Sequence, residues 1–541
     1  MMTYTSLLYA LFVAAALLVY YLLLVRKYQW VVLLAASMLF YLINSYRYAF
    51  YIFLTSLTIW LCARVIGRRT EEMEATVKAN KKVWSREERK AYKAGIAKQN
   101  TRLMAAGLLL NFGILFILKY YGFLAGSLNS LITGDAAAGV LPVFRFALPL
   151  GISFYTFQAA GYLIDINRGT IRAEQNYFRF LLFVSFFPQI VQGPISTFAQ
   201  LGHQLTESHQ PEWNRFKLGG ELILYGLFKK LVLADRALIA INTVLEEYTQ
   251  FDGLVILFTG LLYALQIYMD FSAGIDISRG VAKMFGIDME INFRRPYFSK
   301  SLGEYWRRWH ITLGAWMKNY VFYSLAMSPR FLGWSKKMKE GALGKTSWGA
   351  HVAKVLPTAF ASFIVFFLVG IWHGANSKWI GFGIWNGGII MLSILLKPAF
   401  DRVPKALGIS TDSFGHRLFQ MVRTFLIVTY GGFFDIAPGF RGAFDMMART
   451  LADHHVSLAM DQLVTLGLGK WDFIILAVGA LVIWFLDVRL EHRNYEEPGE
   501  LLQLHAAPVQ WLVLLLTILV IAVLGIYGPG YNPADFVYMQ F

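Results

Sequence analysis

The sequence predicts an all-α polytopic membrane protein, with about 11 transmembrane helices and further re-entrant or interfacial helices. Three observations carry that expectation. Charged residues make up 16% of the 541 positions, against roughly 25% in an ordinary soluble domain. Hydrophobic residues make up 57%. The apolar residues also gather in long runs: Met1–Val25, Val355–Ser377, Trp379–Leu396 and Pro508–Ala534 contain no Asp, Glu, Lys or Arg. A hydrocarbon core of ~30 Å needs ~20 apolar residues in helix, so each run is long enough to cross. At ~150 residues per domain the length alone suggests three or four soluble domains. The distribution of apolar residues excludes that and predicts one integral-membrane unit over 1–541, with cytoplasmic basic loops at 67–102 and 329–350.

Apolar segments fall at 5–25, 29–46, 48–66, 103–120, 146–166, 178–198, 218–245, 253–271, 352–372, 379–396, 422–437, 473–487 and 508–527. Gly and Pro inside the middle segments predict broken helices, which a bilayer tolerates only where protein or a cavity covers the backbone. Arg26 and Lys27 close the first segment. The stretch Arg68–Arg102 holds 11 basic and 5 acidic residues, and reads as a solvated helical hairpin or an amphipathic piece. Pro329–Ala350 carries five basic residues against Glu340. Basic residues gather in cytoplasmic loops, so both stretches are expected inside and the N-terminus outside. The first segment lacks a basic leader and is expected to be a permanent span. No internal repeat is evident.

The net charge of +16 fits such loops. A nucleic-acid partner would need a soluble basic face, which is not seen outside them. The single cysteine, Cys62, excludes a disulfide framework or a thiolate metal cluster within one chain.

An ionisable group at membrane depth marks function by default. Eight of the ten histidines lie in polar stretches. His310 follows Trp306-Arg307-Arg308-Trp309, and Trp306, Trp309, Leu313, Trp316 and Tyr320 recur at helical spacing. They predict one amphipathic helix with aromatic anchors at an interface. His373 ends a long uncharged run between Gly370 and Gly374, which implies close backbone approach around an imidazole. Histidine as a residue type titrates near neutrality, which suits a general base. A packed-interface histidine at His310 and a capping or core histidine at His373 remain alternatives. Asp270 and Asp276, six apart at the end of a span, are expected to orient a base, to cap the helix, or to pair with Arg279, Arg294 or Arg295. Their spacing to the histidines is not that of metal ligands, so no metal is expected. No nucleophile elbow, Walker loop or dinucleotide glycine pattern occurs.

The stretches Leu148–Gln158, Phe186–Pro194, Gly226–Arg236, Tyr268–Gly286, Asn292–Tyr297, Trp306–Leu313, Gly370–Asn376 and the terminal Phe536–Phe541 form an ordered set. That set resembles the membrane-bound O-acyltransferase (MBOAT) family, in its bacterial polysaccharide (alginate-type) O-acetylase branch. The sequence departs from the family pattern at Lys318-Asn319, at Tyr323–Ala326 and at Asn386. The resemblance implies a central tunnel from a cytoplasmic donor to an outer acceptor, with His373 as the essential histidine and His310 as its neighbour. It implies a bacterial cytoplasmic membrane location and a separate extracytoplasmic SGNH-type acetyltransferase that completes transfer to a polysaccharide.

The reaction expected is acyl transfer from a cytoplasmic thioester, acetyl-CoA, with no tightly bound cofactor. His373 is expected to take the hydroxyl proton, with His310 or Asn376 hydrogen-bonding the oxyanion. Asp270, Trp306, Trp309 and Trp372 are expected to support the site. Arg294, Arg295, Arg307 and Arg308 are expected to meet either the donor phosphates or lipid headgroups. The alternatives are D-alanyl transfer to teichoic acid from a carrier-protein thioester, a transporter with a histidine proton relay, and a bis-histidine haem protein.

Overall fold

A computed structural model describes residues 2–22, 25–134, 140–144, 146–527 and 536; of the C-terminal stretch Phe536–Phe541 only Phe536 lies within them. The chain is helical with no strand among the described residues, and forms two compact units. One comprises Met1–Ile223 and Ile277–Glu290, the other Leu224–Asp276 and Ile291–Phe541.

The first unit opens with α1 (Leu7–Leu22), α2 (Gln29–Ser45), α3 (Ala49–Ala79) and α4 (Arg86–Thr133). The last two run well past their apolar stretches. Polar helix formers and an Arg68–Glu72 pair at 2.8 Å, one turn apart, continue α3 beyond the bilayer-length run. A reciprocal cap restarts the chain at α4, where Ser85 Oγ accepts from the Glu88 amide at 3.1 Å and Glu88 accepts from the Ser85 amide at 2.7 Å. The basic loop at 67–102 is therefore a helical hairpin. Asn111 Nδ2 ties α4 to Thr58 on α3 at 3.1 Å, the polar glue that lipid-embedded helices use.

Next come α5 (Ile152–Arg168) and α6 (Tyr177–Ser185). The segment at 178–198 breaks at Phe186, as its prolines and glycine predict, and its main chain is buried. The Tyr4 hydroxyl donates to the freed Pro188 carbonyl at 2.7 Å, and the Ser278 hydroxyl donates to the same oxygen. Gly151, at φ +67°, packs against this loop; a Cβ there would lie 2.2 Å from the Ile190 carbonyl oxygen.

The segment at 218–245 divides into α7 (Trp213–Leu227), a π-helical turn (Phe228–Ala234) and α8 (Asp235–Glu246). The second unit then contains most of α9 (Gly253–Met284), with α10 (Leu302–Arg308), α11 (Ile311–Trp316) and the exposed basic α12 (Pro329–Glu340). The hairpin α13 (Ser347–His373) and α14 (Ser377–Leu395) follows, then α15 (Phe414–Ile436), α16 (Lys470–Arg493) and α17 (Ala507–Leu524). The helices α13 and α14 pack backbone to backbone. A Cβ on Gly370 would meet the Trp379 carbonyl oxygen at 2.4 Å, as the glycine pattern predicts.

Seven helical runs among the described residues are long and apolar enough to cross a membrane, and one of them, Arg26–Ala79, holds both α2 and α3. Beside them stand the apolar helices α1 and α5 and the two middle segments interrupted by loop and π-turn. One expectation is corrected: the aromatic stretch from Trp306 to Tyr320 is not one helix. It breaks at Trp309-His310, where His310 adopts φ +47°. No Gly or Pro announces that break; a backbone pairing with a distant segment imposes it.

Candidate active site

Asn292–Arg294 runs extended beside the break. Phe293 and Trp309 form an antiparallel bridge, the Arg294 amide donates to the Arg308 carbonyl at 2.8 Å, and the Ile311 amide donates to the Asn292 carbonyl at 3.0 Å. A non-glycine residue at positive φ costs on the order of 1–3 kcal/mol and persists only where surrounding contacts over-determine it. Here they do. Asn292 Oδ1 accepts from the Thr312 amide at 3.0 Å and from its hydroxyl at 2.9 Å. Both lone pairs of that oxygen are thereby occupied. His310 Nδ1 faces the same side-chain amide, 3.2 Å from Nδ2 and 3.3 Å from Oδ1. Because Oδ1 already accepts twice, donation from Nδ2 to Nδ1 is favoured, which assigns the proton of a neutral His310 ring to Nε2. The ring is 2% exposed, and the Phe271 ring meets it edge-on at 4.8 Å. Burial pushes the imidazole pKa down, favouring the neutral donor form.

His373 closes α13. Its ring stacks on Trp379 at 5.0 Å and 17°, and meets Phe382 edge-on at 5.3 Å. The Trp372 indole lies 5.0 Å from His373 and 6.3 Å from His310, centre to centre. The two sequence-predicted histidines therefore flank one indole. His373 lines a cavity of about 60 Å³ together with Trp306, Trp309, Trp379, Asn386, Tyr263 and Asp435. Trp306 is held in this wall by its indole N–H, which donates to Asn386 Oδ1 at 3.1 Å. Asn386, one of the departures from the family pattern, is thus a wall-building residue.

The remaining predicted residues are placed differently. Asn376 does not line the cavity; its Oδ1 accepts from the Lys378 amide at 3.0 Å and caps α14. Asp270 is 1% exposed and binds Lys230 Nζ at 2.6 Å, a partner that sequence spacing did not suggest, because the π-turn aims Lys230 between Asp270 and Asp235, the latter at 2.9 Å. Asp276 takes Lys229 at 2.6 Å, and Arg279 donates to the Met289 carbonyl at 3.2 Å. Glu491 on α16 binds Arg295 at 2.6 Å and Arg308 at 2.9 Å, while Arg294 donates to Asn494 at 2.6 Å. Arg307 is exposed.

Asp252, Asp453 and His455 form a group whose ligand atoms lie within 4.8 Å of one another, the spacing a metal ion needs. None of the three lines the cavity, and Asp252 also accepts from the Leu254 and His455 amides at 2.9 and 2.8 Å.

Sequence reasoning passed over Asn292, Tyr263, Thr429 and Asp435. A signal existed for the last. Asp435 is the sole Asp, Glu, Lys or Arg in the apolar stretch 424–440, where an acid marks function by default.

Comparison with known proteins points to a class. Residues 150–338 match the model of MBOAT, the membrane-bound O-acyltransferase family. His310 lies inside the matched segment and His373 beyond it. Among individual proteins, the chain is 30% identical over 343 residues to a protein of Pseudomonas syringae pv. tomato named "Probable alginate O-acetylase AlgI". That match covers 62% of this chain and 58% of the relative, somewhat over half its length. A protein of the same name from Pseudomonas putida is 28% identical, over 83% of this chain and 87% of its own length. The teichoic acid D-alanyltransferase of Bacillus subtilis is 26% identical, over 44% of this chain and 56% of its own.

Proposed function

We propose that this multi-pass membrane protein is an O-acyltransferase. It moves an acetyl group from a cytoplasmic thioester, acetyl-CoA, to a hydroxyl on the extracytoplasmic side for polysaccharide O-acetylation. The observation that carries this reading is the pair of imidazoles on one indole, one lining a cavity and the other keyed as an Nε2–H donor.

A hydroxyl is a weak nucleophile near neutral pH and needs a base. Neutral His373 takes its proton as the oxygen attacks the thioester carbonyl. The carbonyl oxygen gains negative charge, and His310 Nε2–H is the donor that meets it. Such a donor in a water-poor site is worth ~10²–10³ in rate, because it is already oriented and pays no reorganisation. Collapse expels the thiolate, which recovers the proton from His373. Asn292 and Thr312 position His310, and Trp306, Trp309 and Trp372 shape the aromatic wall and exclude water. Asp270 serves the surrounding framework through its lysine partner. Arg307, the exposed member of the basic set, meets the donor phosphates or headgroups. An extracytoplasmic acetyltransferase of SGNH type carries the group onward, and the cytoplasmic membrane of a bacterium is the site of action.

Names of relatives favour acetyl over D-alanyl through the higher identity and coverage of the alginate O-acetylases. The assay uses purified protein in nanodiscs with an acceptor and follows CoA release from acetyl-CoA. His373→Ala is expected to lower turnover ~10²–10⁴-fold, the usual worth of a general base. Full turnover in that variant removes His373 from the role. Turnover only with a charged carrier protein establishes the D-alanyl reading.

A further inference from the structure

Among the described residues, three that are not glycine take positive φ: Arg295 at +48°, His310 at +47° and Asn494 at +56°. Such backbone is costly for most side-chain-bearing residues. It gathers where surrounding contacts force it, at active sites, clamps and switches. All three meet around one carboxylate, that of Glu491 on α16. Arg295 Nε donates to Glu491 Oε2 at 2.6 Å, and its Nη1 donates to the Tyr495 carbonyl at 2.6 Å. Arg308 presents two N–H groups to the same carboxylate, Nη2 to Oε1 at 2.9 Å and Nη1 to Oε2 at 3.1 Å. An arginine fork on a carboxylate fixes direction as well as distance. Asn494, three residues after Glu491, accepts from Arg294 Nη2 at 2.6 Å. These arginines stand on the two segments that pair beside His310. One end of that short ladder is closed by Asn292, whose Oδ1 takes the Thr312 amide and hydroxyl. The other end is closed by Glu491. One turn earlier α16 backs the ladder again. Asp487 Oδ2 accepts from the Tyr268 hydroxyl at 3.3 Å, and the Tyr268 ring lies 6.0 Å from Phe293 and 6.2 Å from Trp309.

We infer that Glu491 is a positioning residue for His310: its carboxylate clasps the two paired segments at one point of α16 and so holds the His310 backbone in its left-handed turn. The inference rests on the acyl-transfer reading, in which His310 Nε2–H meets the developing oxyanion. Few backbone hydrogen bonds join the segments, namely Arg294 amide to Arg308 carbonyl and Ile311 amide to Asn292 carbonyl. Side chains must therefore hold the ladder. Without the Glu491 carboxylate, Arg308 keeps Glu304, one turn back on α10 at 2.9 Å. That spacing is the one that stabilises a continuous helix, and the aromatic repeat through Trp309 favours the same outcome. Arg295, 4% exposed, loses the carboxylate that fixes its end of the ladder. The His310 ring then leaves its place, and a shift of ~1 Å in a reacting geometry costs on the order of 10²-fold in rate. Glu491 does not line the cavity, so its effect on the reaction runs through the backbone that it clasps.

The test uses the full-length protein in nanodiscs, with acetyl-CoA as donor and N-acetylserinamide as a hydroxyl probe, and follows CoA release per folded protein. Glu491→Gln keeps the size and loses the charge. It is expected to lower kcat roughly 10- to 100-fold and to leave the KM for acetyl-CoA unchanged. A double-mutant cycle separates positioning from general damage. In the His310→Asn background, Glu491→Gln is expected to cost less than about twofold, because the group it positions is gone. Single effects that multiply in the double variant overturn the inference, as does a raised KM with unchanged kcat, or full turnover by His310→Asn. Hydrogen exchange gives a readout that needs no turnover. The Ile311 and Thr312 amides are expected to exchange severalfold faster in Glu491→Gln, while those of α13 keep their wild-type rate. Unchanged exchange at those two amides in the folded variant overturns the inference. Arg308→Lys retains the charge without the fork, and takes the same measurements if Glu491→Gln does not elute as a monodisperse protein. No CoA release by the wild type overturns the acyl-transfer reading itself, and exchange then reports on the clasp alone.

Discussion

Two polar regions of the second unit are built on opposite plans. Around Lys230 the ammonium is held between two carboxylates, Asp270 at 2.6 Å and Asp235 at 2.9 Å, with the Phe536 ring centre 4.5 Å away. Around His373 the walls are mostly aromatic and enclose a cavity, and Asp435 Oδ1 and Thr429 Oγ1 carry no hydrogen bond. Both regions contain costly buried groups, so cost alone does not mark a site. What separates them is the cavity. Lys230 and its carboxylates do not line it and act on the fold, whereas polar atoms in a cavity wall have room beside them for an occupant.

The sharpest way to break this contrast is to exchange the consequences of damage. His373→Ala is expected to remove most activity, up to ~10⁴-fold, while leaving thermal unfolding in detergent nearly unchanged. Lys230→Met is expected to do the reverse. It strands two buried carboxylates and should destabilise by about 3–5 kcal/mol, read as a lowered midpoint of thermal unfolding and reduced yield. If Lys230→Met is as stable as the wild type but inactive, the Lys230 cluster belongs to the chemistry after all.

His310 tests the border between the regions, because it is both strained and keyed by Asn292. Asparagine tolerates the left-handed backbone better than alanine, so His310→Asn should fold. Loss of the Nε2–H donor should lower kcat ~10²–10³-fold, with KM for the thioester unchanged. Activity lost only in proportion to lost protein would assign His310 to packing. The smallest effect is expected at Arg307. Arg307→Ala should shift stability by less than ~0.5 kcal/mol, as exposed sites do, and raise the KM for the anionic donor modestly. In contrast, Glu491→Gln, which removes the carboxylate shared by Arg295 and Arg308, should be clearly destabilising in the same unfolding experiment.

The spans, the helical hairpin at 67–102, broken helices among the middle segments and the two histidines were legible in the chain, because hydrophobic runs, capping residues and Gly or Pro act locally. The glycine pair around His373 also announced its own close packing. The break at His310 was invisible, since a helical aromatic repeat gave way to pairing with Asn292–Arg294, 15 or more residues away. The partners of Asp270 were equally hidden. Sequence spacing favoured arginines on neighbouring stretches, but the π-turn at 228–234 aimed a lysine at it.

By itself the sequence determined that this is a helical membrane protein with two histidines set in aromatic surroundings, because burial in hydrocarbon constrains composition residue by residue. Only the tertiary structure decided which nitrogen of His310 holds its proton, which carboxylates are neutralised, and that Asp435 shares a cavity with His373. Those depend on atoms that are distant along the chain meeting within a hydrogen bond's length, and no local pattern encodes that meeting.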